Sequence, residues 1–251
     1  MNDIELSILL PAFIAGLLVL ATHIPFGMKV LERGVIFADL AVAQIAGLGV
    51  ILAALLDLTE KPLLVQLIAA VSALCGAALL AWIEKRMAEV KEACIGLTFV
   101  LAASGGILLM SRDVHAGEHL KDLLVGQILW VSTNQLIATA ILTVVLLAMW
   151  QWSKLKTFNL GFYGMFALAV TASVQLVGVY LVFASLIIPA LATYRIKRKR
   201  TLYALAIGIA GYAAGLLLSS WFDLPSGATV VWAMAVAGVL AAWLLNTRKV
   251  G

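Results

Sequence analysis

The chain has 251 residues, of which 64% are hydrophobic and only 12% are charged. Soluble domains use about 45–50% apolar and about 25% charged residues, so this composition excludes a soluble enzyme and a disordered chain. The formal net charge is +4. We assign it to membrane topology rather than to nucleic-acid binding, because the basic residues fall between apolar blocks.

Eight apolar blocks follow one another along the chain, and most are near the ~20 residues needed to cross the hydrocarbon of a bilayer. Because every backbone group in that layer must be hydrogen-bonded, they predict an all-α, polytopic transmembrane helix bundle. We expect one domain over residues 1–251 and a first block that is retained, since no small-residue cleavage site follows it. The blocks are residues 6–25, 35–56, 63–82, 93–110, 135–152, 163–194, 202–220 and 228–245.

The basic residues between the blocks predict the orientation. One set of segments holds 14 of the 17 lysines and arginines, and by the positive-inside rule this set faces the cytoplasm. The amino terminus is then expected outside and the carboxyl terminus in the cytoplasm. The set consists of Lys29, Arg33, Lys85, Arg86, Lys91, Lys154, Lys156, the five basic residues of 195–200, Arg248 and Lys249.

The sixth block starts and ends beside cytoplasmic charges although it has 32 residues. That length is too great for one helix and too small for two full spans. We expect a full helix and then a short re-entrant helix, with the turn near Gly178 and Pro189 on the returning piece. This gives eight or nine membrane segments. Pro189 is equally compatible with a tolerated kink that has no function.

Few polar side chains lie within the blocks. Asp39 is the only acid expected well inside one, where a charge costs about 2.5–3.5 kcal/mol on the translocon scale. Gln44 and Gln175 add polar groups, so these residues are candidates to line a path for a cation or polar solute. The alternative is that Asp39 lies near the cytoplasmic interface and pairs with Lys29 or Arg33.

The connection of residues 111–122, expected outside, carries a second polar cluster. In a helical conformation His115 and His119 share one face, with Glu118 and Asp122 beside them, and such side chains can capture a transition metal. The His-x-x-Glu-His spacing also matches an inverted zinc-peptidase motif, and a solvated polar loop is a third alternative. His23, isolated near the end of the first block, is expected to be a core histidine.

The chain contains no phosphate-binding Gly-x-x-x-x-Gly-Lys-[Ser/Thr] loop, no dinucleotide fingerprint and no serine elbow. We therefore expect it to hydrolyse no ATP, to be no enzyme and to carry no cofactor of its own. If it pumps against a gradient, the energy must come from another subunit or from a coupled ion.

Four segments make the chain resemble the integral-membrane permease subunits of bacterial zinc and manganese ABC importers. They are residues 33–50, 122–132, 177–193 and 221–230, and the third, VGVYLVFASLIIPALAT, is the most specific. The resemblance implies a permease of the cytoplasmic (inner) membrane in which the third segment lies beside the translocation path. It also implies a homodimer, two cytoplasmic ABC ATPases that use the ATP, and an extracytoplasmic metal-binding protein that delivers the ion.

Two features depart from that family. Its second span usually carries Asp-x-x-x-His, whereas here Asp39 is followed by Gln44, one residue further on, and glutamine is a poorer zinc ligand than imidazole. Only residues 153–162 separate the fifth and sixth blocks, where the family places the helix that docks into the ATPase.

We expect a zinc or manganese permease. An ATPase-independent transporter or accessory membrane protein is the alternative, and a membrane zinc hydrolase is the third possibility.

Overall fold

The computed structural model of the chain describes residues 3–56, 58, 60–110, 128–152 and 159–247. These residues form nine α-helices and one 3-10 turn, without any β-strand in the described ranges. Eight helices are long and apolar enough to cross a membrane, and the seventh is a shorter apolar helix. The predicted all-α transmembrane fold is confirmed. The helices are α1 (Asp3–Arg33), α2 (Ala38–Leu55), α3 (Pro62–Arg86), α4 (Lys91–Met110), α5 (Thr133–Trp152), α6 (Asn159–Val177), α7 (Val179–Ala192), α8 (Arg200–Phe222) and α9 (Ser226–Thr247).

The start of α2 differs from the prediction. Hydropathy placed the second block from residue 35, but Gly34 adopts a φ of 64° and α2 begins only at Ala38. The chain turns between these residues, with the Ala38 N–H donating to the Val35 carbonyl at 3.1 Å. Asp39 therefore lies in the first turn of α2, at the end of the span rather than well inside it as expected.

The block of residues 163–194 divides into α6 and α7, as predicted. Gly178 separates them with a φ of 82°, a value that glycine adopts readily because it has no Cβ. The 14 residues of α7 give a helix about 21 Å long, shorter than the ~30 Å thickness of hydrocarbon. The short helix after Gly178 is confirmed, and Pro189 lies inside it.

The helices form two compact units. The first contains α1, the first half of α5, α7, α8 and α9; α1 and α9 each pack against both α7 and α8. Glycines allow close approach of these helices, because Gly27 of α1 lies against the carbonyl of Leu186 and Gly211 of α8 lies against Met234 of α9. Close contacts at small residues are a main source of stability between transmembrane helices.

The second unit contains α2, α3, α4, the second half of α5 and most of α6. In this unit α2 packs against both α3 and α4, with Gly49 of α2 against Ser72 of α3. Phe162 of α6 stacks on Phe166 with ring centres 5.7 Å apart, and Trp150 of α5 lies 6.4 Å from Phe162. Aromatic contacts thus join α5 to α6.

Large apolar side chains stay exposed along α3, α4, α5 and α9. Examples are Leu63, Leu108, Val144 and Trp232. An apolar surface of this extent marks contact with lipid or with another apolar partner. The exposed faces and the eight long apolar helices together identify a multi-pass membrane protein.

We expect Gly27→Ala to destabilise the first unit, because the added Cβ would meet the backbone carbonyl of Leu186, which cannot rotate away. Overpacking of this kind costs about 1–3 kcal/mol. The measurement is the midpoint of thermal unfolding of the purified protein in detergent. Gly96→Ala is the matched control, since nothing lies within 4 Å of its added Cβ. A Gly27→Ala midpoint equal to or above that of the control would contradict the packing.

Candidate functional site

Asp39 is a buried acid at the amino end of α2. Only 1% of the residue is exposed. The first turn of a helix is a favourable place for a negative charge, because backbone N–H groups point toward it. The N–H groups of Asp39 and Leu40 interact with its carboxylate, but Oδ1 is buried and has no hydrogen-bond partner among the described residues. A buried polar atom in this condition costs about 1–3 kcal/mol, so the position favours a cation or a donor at Oδ1.

A second carboxylate reaches the same helix end from α4. Glu92 accepts the backbone N–H of Phe37 through Oε1 at 3.1 Å. Phe37 immediately precedes α2, so Glu92 satisfies a donor that the start of a helix leaves without an intrahelical partner. Glu92 Oε2 is buried without a hydrogen-bond partner among the described residues, and its charge acts on Asp39. Together α2 and α4 hold two acids near one helix end.

Glu92 was not among the predicted site residues. It stands beside Lys91 in a stretch with several charges, which is typical of a solvated segment, and its contact with Phe37 spans 55 positions. The local sequence carries no signal for such a contact except that Glu92 directly precedes the apolar block of residues 93–110.

The predicted path residues fall in different units. Asp39 and Gln44 belong to the second unit, whereas Gln175, Gly178 and Pro189 belong to the first. Gln44 is half-buried on α2, and five positions place it about 140° around the helix from Asp39. Gln175 is half-buried in the last turn of α6, next to the break at Gly178.

Polar groups accompany Pro189 in α7. Proline has no N–H, so the carbonyl of Ser185 receives no helical hydrogen bond from residue 189. The Ser185 hydroxyl donates to the Leu181 carbonyl at 2.7 Å and lies 2.9 Å from the Tyr212 hydroxyl of α8. Since the hydrogen of Ser185 is directed to Leu181, Tyr212 is the donor to Ser185. A buried pair of hydroxyls therefore lies between α7 and α8 within the first unit.

His23 is fully buried in α1. Its Nδ1 lies 3.0 Å from the Val19 carbonyl and 3.0 Å from the Thr22 hydroxyl. Donation from Nδ1 to the carbonyl leaves Nε2 as the acceptor, and Nε2 is buried with no hydrogen-bond partner among the described residues. A histidine held in this way presents a nitrogen that can bind a cation.

The proposed outer-loop ligands His115, Glu118, His119 and Asp122 lie outside the described residues, and so does most of the 153–162 segment. Within the ranges that the structure describes, no group of three or more His, Cys, Asp and Glu side chains is arranged to hold a metal ion.

The chain has recognisable relatives. A sequence model of the ABC 3 transport family matches residues 5–158 and 151–245. The chain belongs to the ABC 3 transport family. It is therefore a transport permease subunit, as the resemblance implied, and the polar residues above belong to such a permease.

Two curated relatives carry names that refer to iron. The chain is 26% identical over 180 residues to the probable iron transport system membrane protein of Haemophilus influenzae. It is 29% identical over 180 residues to the chelated iron transport system membrane protein YfeD of Yersinia pestis. Each match covers 62% of this chain. It covers 66% of the Haemophilus protein and 60% of the Yersinia protein, so the chain spans less than two thirds of the length of either relative.

A solved structure shares the fold. PsaBC from Streptococcus pneumoniae, determined in complex with a Fab, superposes with a TM-score of 0.71. The match covers 96% of this chain and 91% of the solved chain at 21% sequence identity. The chain therefore shares its helix arrangement with a solved structure.

Two replacements of Glu92 test whether its contact with Phe37 stabilises the start of α2. Glu92→Ala removes the acceptor for the Phe37 N–H and should lower stability by about 0.5–2 kcal/mol, as loss of a helix cap does. Glu92→Gln keeps an oxygen acceptor and should unfold within a degree or two of the unchanged protein. Thermal unfolding in detergent measures both; equal midpoints for Glu92→Ala and Glu92→Gln would show that the contact does not stabilise α2.

Proposed function

We propose that this permease moves a divalent first-row transition metal ion across the bacterial cytoplasmic membrane. The observation that carries the proposal is the pair of acids at the start of α2. Asp39 and Glu92 each have a buried carboxylate oxygen without a hydrogen-bond partner among the described residues. A cation between two such groups offsets both the desolvation of the carboxylates and their mutual repulsion.

The donor atoms bear on which metal passes. Asp39, Glu92 and Gln44 offer oxygen, and Gln44 lies one residue beyond the position where the resembling importers have histidine. Carboxylate and carbonyl oxygens suit manganese, whereas imidazole and thiolate suit zinc. The relatives' names add iron. We therefore favour manganese or ferrous iron over zinc as the transported ion; that ion is the substrate and not a resident cofactor.

Family membership supports a proposal for the energy source and for the direction of transport. We propose that a separate cytoplasmic ABC ATPase binds and hydrolyses ATP and that an extracytoplasmic metal-binding protein delivers the ion to a homodimer of permeases. The proposal places the amino terminus outside and the carboxyl terminus in the cytoplasm, as the distribution of basic residues favours. It assigns no catalytic residue to this chain.

Within the permease, we assign different steps to different polar groups. His115, Glu118, His119 and Asp122 would capture the ion outside. Asp39, Gln44 and Glu92 would contact it in the second unit. Gln175 and the short helix that begins after Gly178 and contains Pro189 would contact it in the first unit. The buried hydroxyls of Ser185 and Tyr212 support such a role.

Metal titration of the purified permease tests the acidic pair. We expect manganese to bind more tightly than zinc, and Asp39→Asn and Glu92→Gln each to weaken manganese binding by at least about tenfold. Asp223→Asn is the matched control, because Asp223 is an exposed acid after α8. Calorimetry gives the affinities. Unchanged manganese affinity in both variants would remove the pair from the path, and tighter zinc binding would reverse the order of the metals.

The outer loop can be tested in the same titration. His115→Ala combined with His119→Ala should remove one class of bound metal and leave the class that depends on Asp39. The Asp39→Asn variant is the reciprocal control. If the double variant binds manganese and zinc like the unchanged protein, the loop captures no metal.

Uptake into membrane vesicles tests the energy source. We expect radioactive manganese to enter only when ATP is present, and an ATPase subunit to co-purify with the permease. Dissipation of the proton gradient with an uncoupler, at constant ATP, should leave uptake unchanged. Uptake that continues after ATP depletion would instead support the ATPase-independent transporter.

A further inference from the structure

The densest charge in the chain lies where α7 ends and α8 begins. Five of the six residues from Arg195 to Arg200 are basic, and the sequence contains no aspartate or glutamate between Asp122 and Asp223. No nearby acid in this part of the sequence can neutralise the run.

The end of α1 adds to this charge within the same unit. Lys29 pairs with Glu32 at 3.1 Å, and Glu32 also lies 4.0 Å from the guanidinium of Arg200. The Thr201 hydroxyl, 3.9 Å from the sulfur of Met28, joins α1 to α8 at the same level. Glu32 thus lies beside two members of a cluster of seven basic residues. We call this cluster the basic end: Lys29, Arg33, Arg195, Lys197, Arg198, Lys199 and Arg200.

The connection is held close to the helix ends. Thr193 is fully buried and donates to the Pro189 carbonyl at 2.8 Å. Arg200 donates to the Ala190 carbonyl at 3.2 Å, and its guanidinium lies 5.6 Å from the centre of the Tyr194 ring. Arg200 therefore stabilises the end of α7, while Lys197, Arg198 and Lys199 stay exposed.

Apolar and aromatic side chains border these three residues. Leu191, Tyr194 and Leu202 are each about 60% exposed, within a few positions of Lys197 and Lys199. Exposed leucines beside tyrosines and basic residues mark the level of the lipid headgroups. A connection of seven residues tied to both helices does not project beyond that level, which favours a lipid over a protein partner.

We propose that the basic end is a binding site for anionic phospholipid, in which Lys197, Arg198 and Lys199 hold the headgroup phosphate and the exposed leucines contact its acyl chains. Basic clusters next to a membrane helix attract anionic lipid because each charge meets a negative surface potential. The proposal uses none of the residues assigned to the metal path, so it does not depend on the proposed function.

Lipid binding to the purified full chain tests the proposal. The protein in neutral detergent is titrated with phosphatidylglycerol and, in parallel, phosphatidylcholine, and bound lipids are counted by native mass spectrometry. We expect phosphatidylglycerol to bind about tenfold more tightly than phosphatidylcholine, with a preference that falls as salt rises. The variant K197Q/R198Q/K199Q should lose that preference.

Two further variants keep the result decisive. K85Q/R86Q/K91Q removes three charges from the α3–α4 connection and should retain the preference for phosphatidylglycerol, whereas K197R/K199R keeps the charge and should bind normally. Equal binding of both lipids by the unchanged protein would overturn the proposal and leave the basic residues with a role in orientation alone. An equal loss in both glutamine variants would reduce the effect to net charge and also overturn it. If K197Q/R198Q/K199Q keeps its lipid binding but no longer co-purifies with an ATPase subunit, the basic end docks a protein instead.

Discussion

Backbone hydrogen bonding in a layer without water is the constraint on which the rest of this structure depends. An unpaired N–H or C=O group in hydrocarbon costs several kcal/mol, so the chain is helical through almost all of its described length. Each break in a helix then needs its own solution. Before α2, the side chain of Glu92 accepts a hydrogen bond from the N–H of Phe37. At Gly178 the break takes a single residue, whose carbonyl already accepts the first hydrogen bond of α7 from Val182.

Some of the polar groups proposed to contact a substrate lie near these breaks. Asp39 stands directly after the turn at residues 34–37, and Ser185 and Pro189 follow the break at Gly178 in α7. A helix start supplies N–H groups that stabilise an acid, and a proline frees a carbonyl, so a chain with few charged residues still obtains polar sites in an apolar surrounding. The residues that break the helices thus also supply polar groups for the proposed contact with an ion.

The sequence was sufficient for the positions of the helices and insufficient for the contacts between them. Apolar blocks separated by basic residues predicted the spans, and charge at both ends of residues 163–194 predicted the short helix after Gly178. Hydropathy misplaced the depth of Asp39, because Val35 and Ile36 are apolar although the positive φ of Gly34 keeps them out of α2. Glu92 escaped prediction because its partner lies on another helix. Which residues surround Gln44 was equally beyond reach, since helix rotation is set by packing at positions such as Gly49 and Ser72.

The length of α7 has an electrical consequence. We consider α7 with its carboxyl end, which Arg200 contacts, at the level of the headgroups. A helix about 21 Å long then reaches Gly178 about 9 Å short of the opposite edge of a hydrocarbon layer about 30 Å thick. Membrane voltage falls mainly across the low-dielectric layer, and moving a doubly charged ion through it involves about 4.6 kcal/mol for every 100 mV. Polar groups at the Gly178 level would compress that fall into a shorter distance and steepen the field along α7. With the orientation and the divalent substrate proposed above, a negative cytoplasm would draw the ion inward along this short helix.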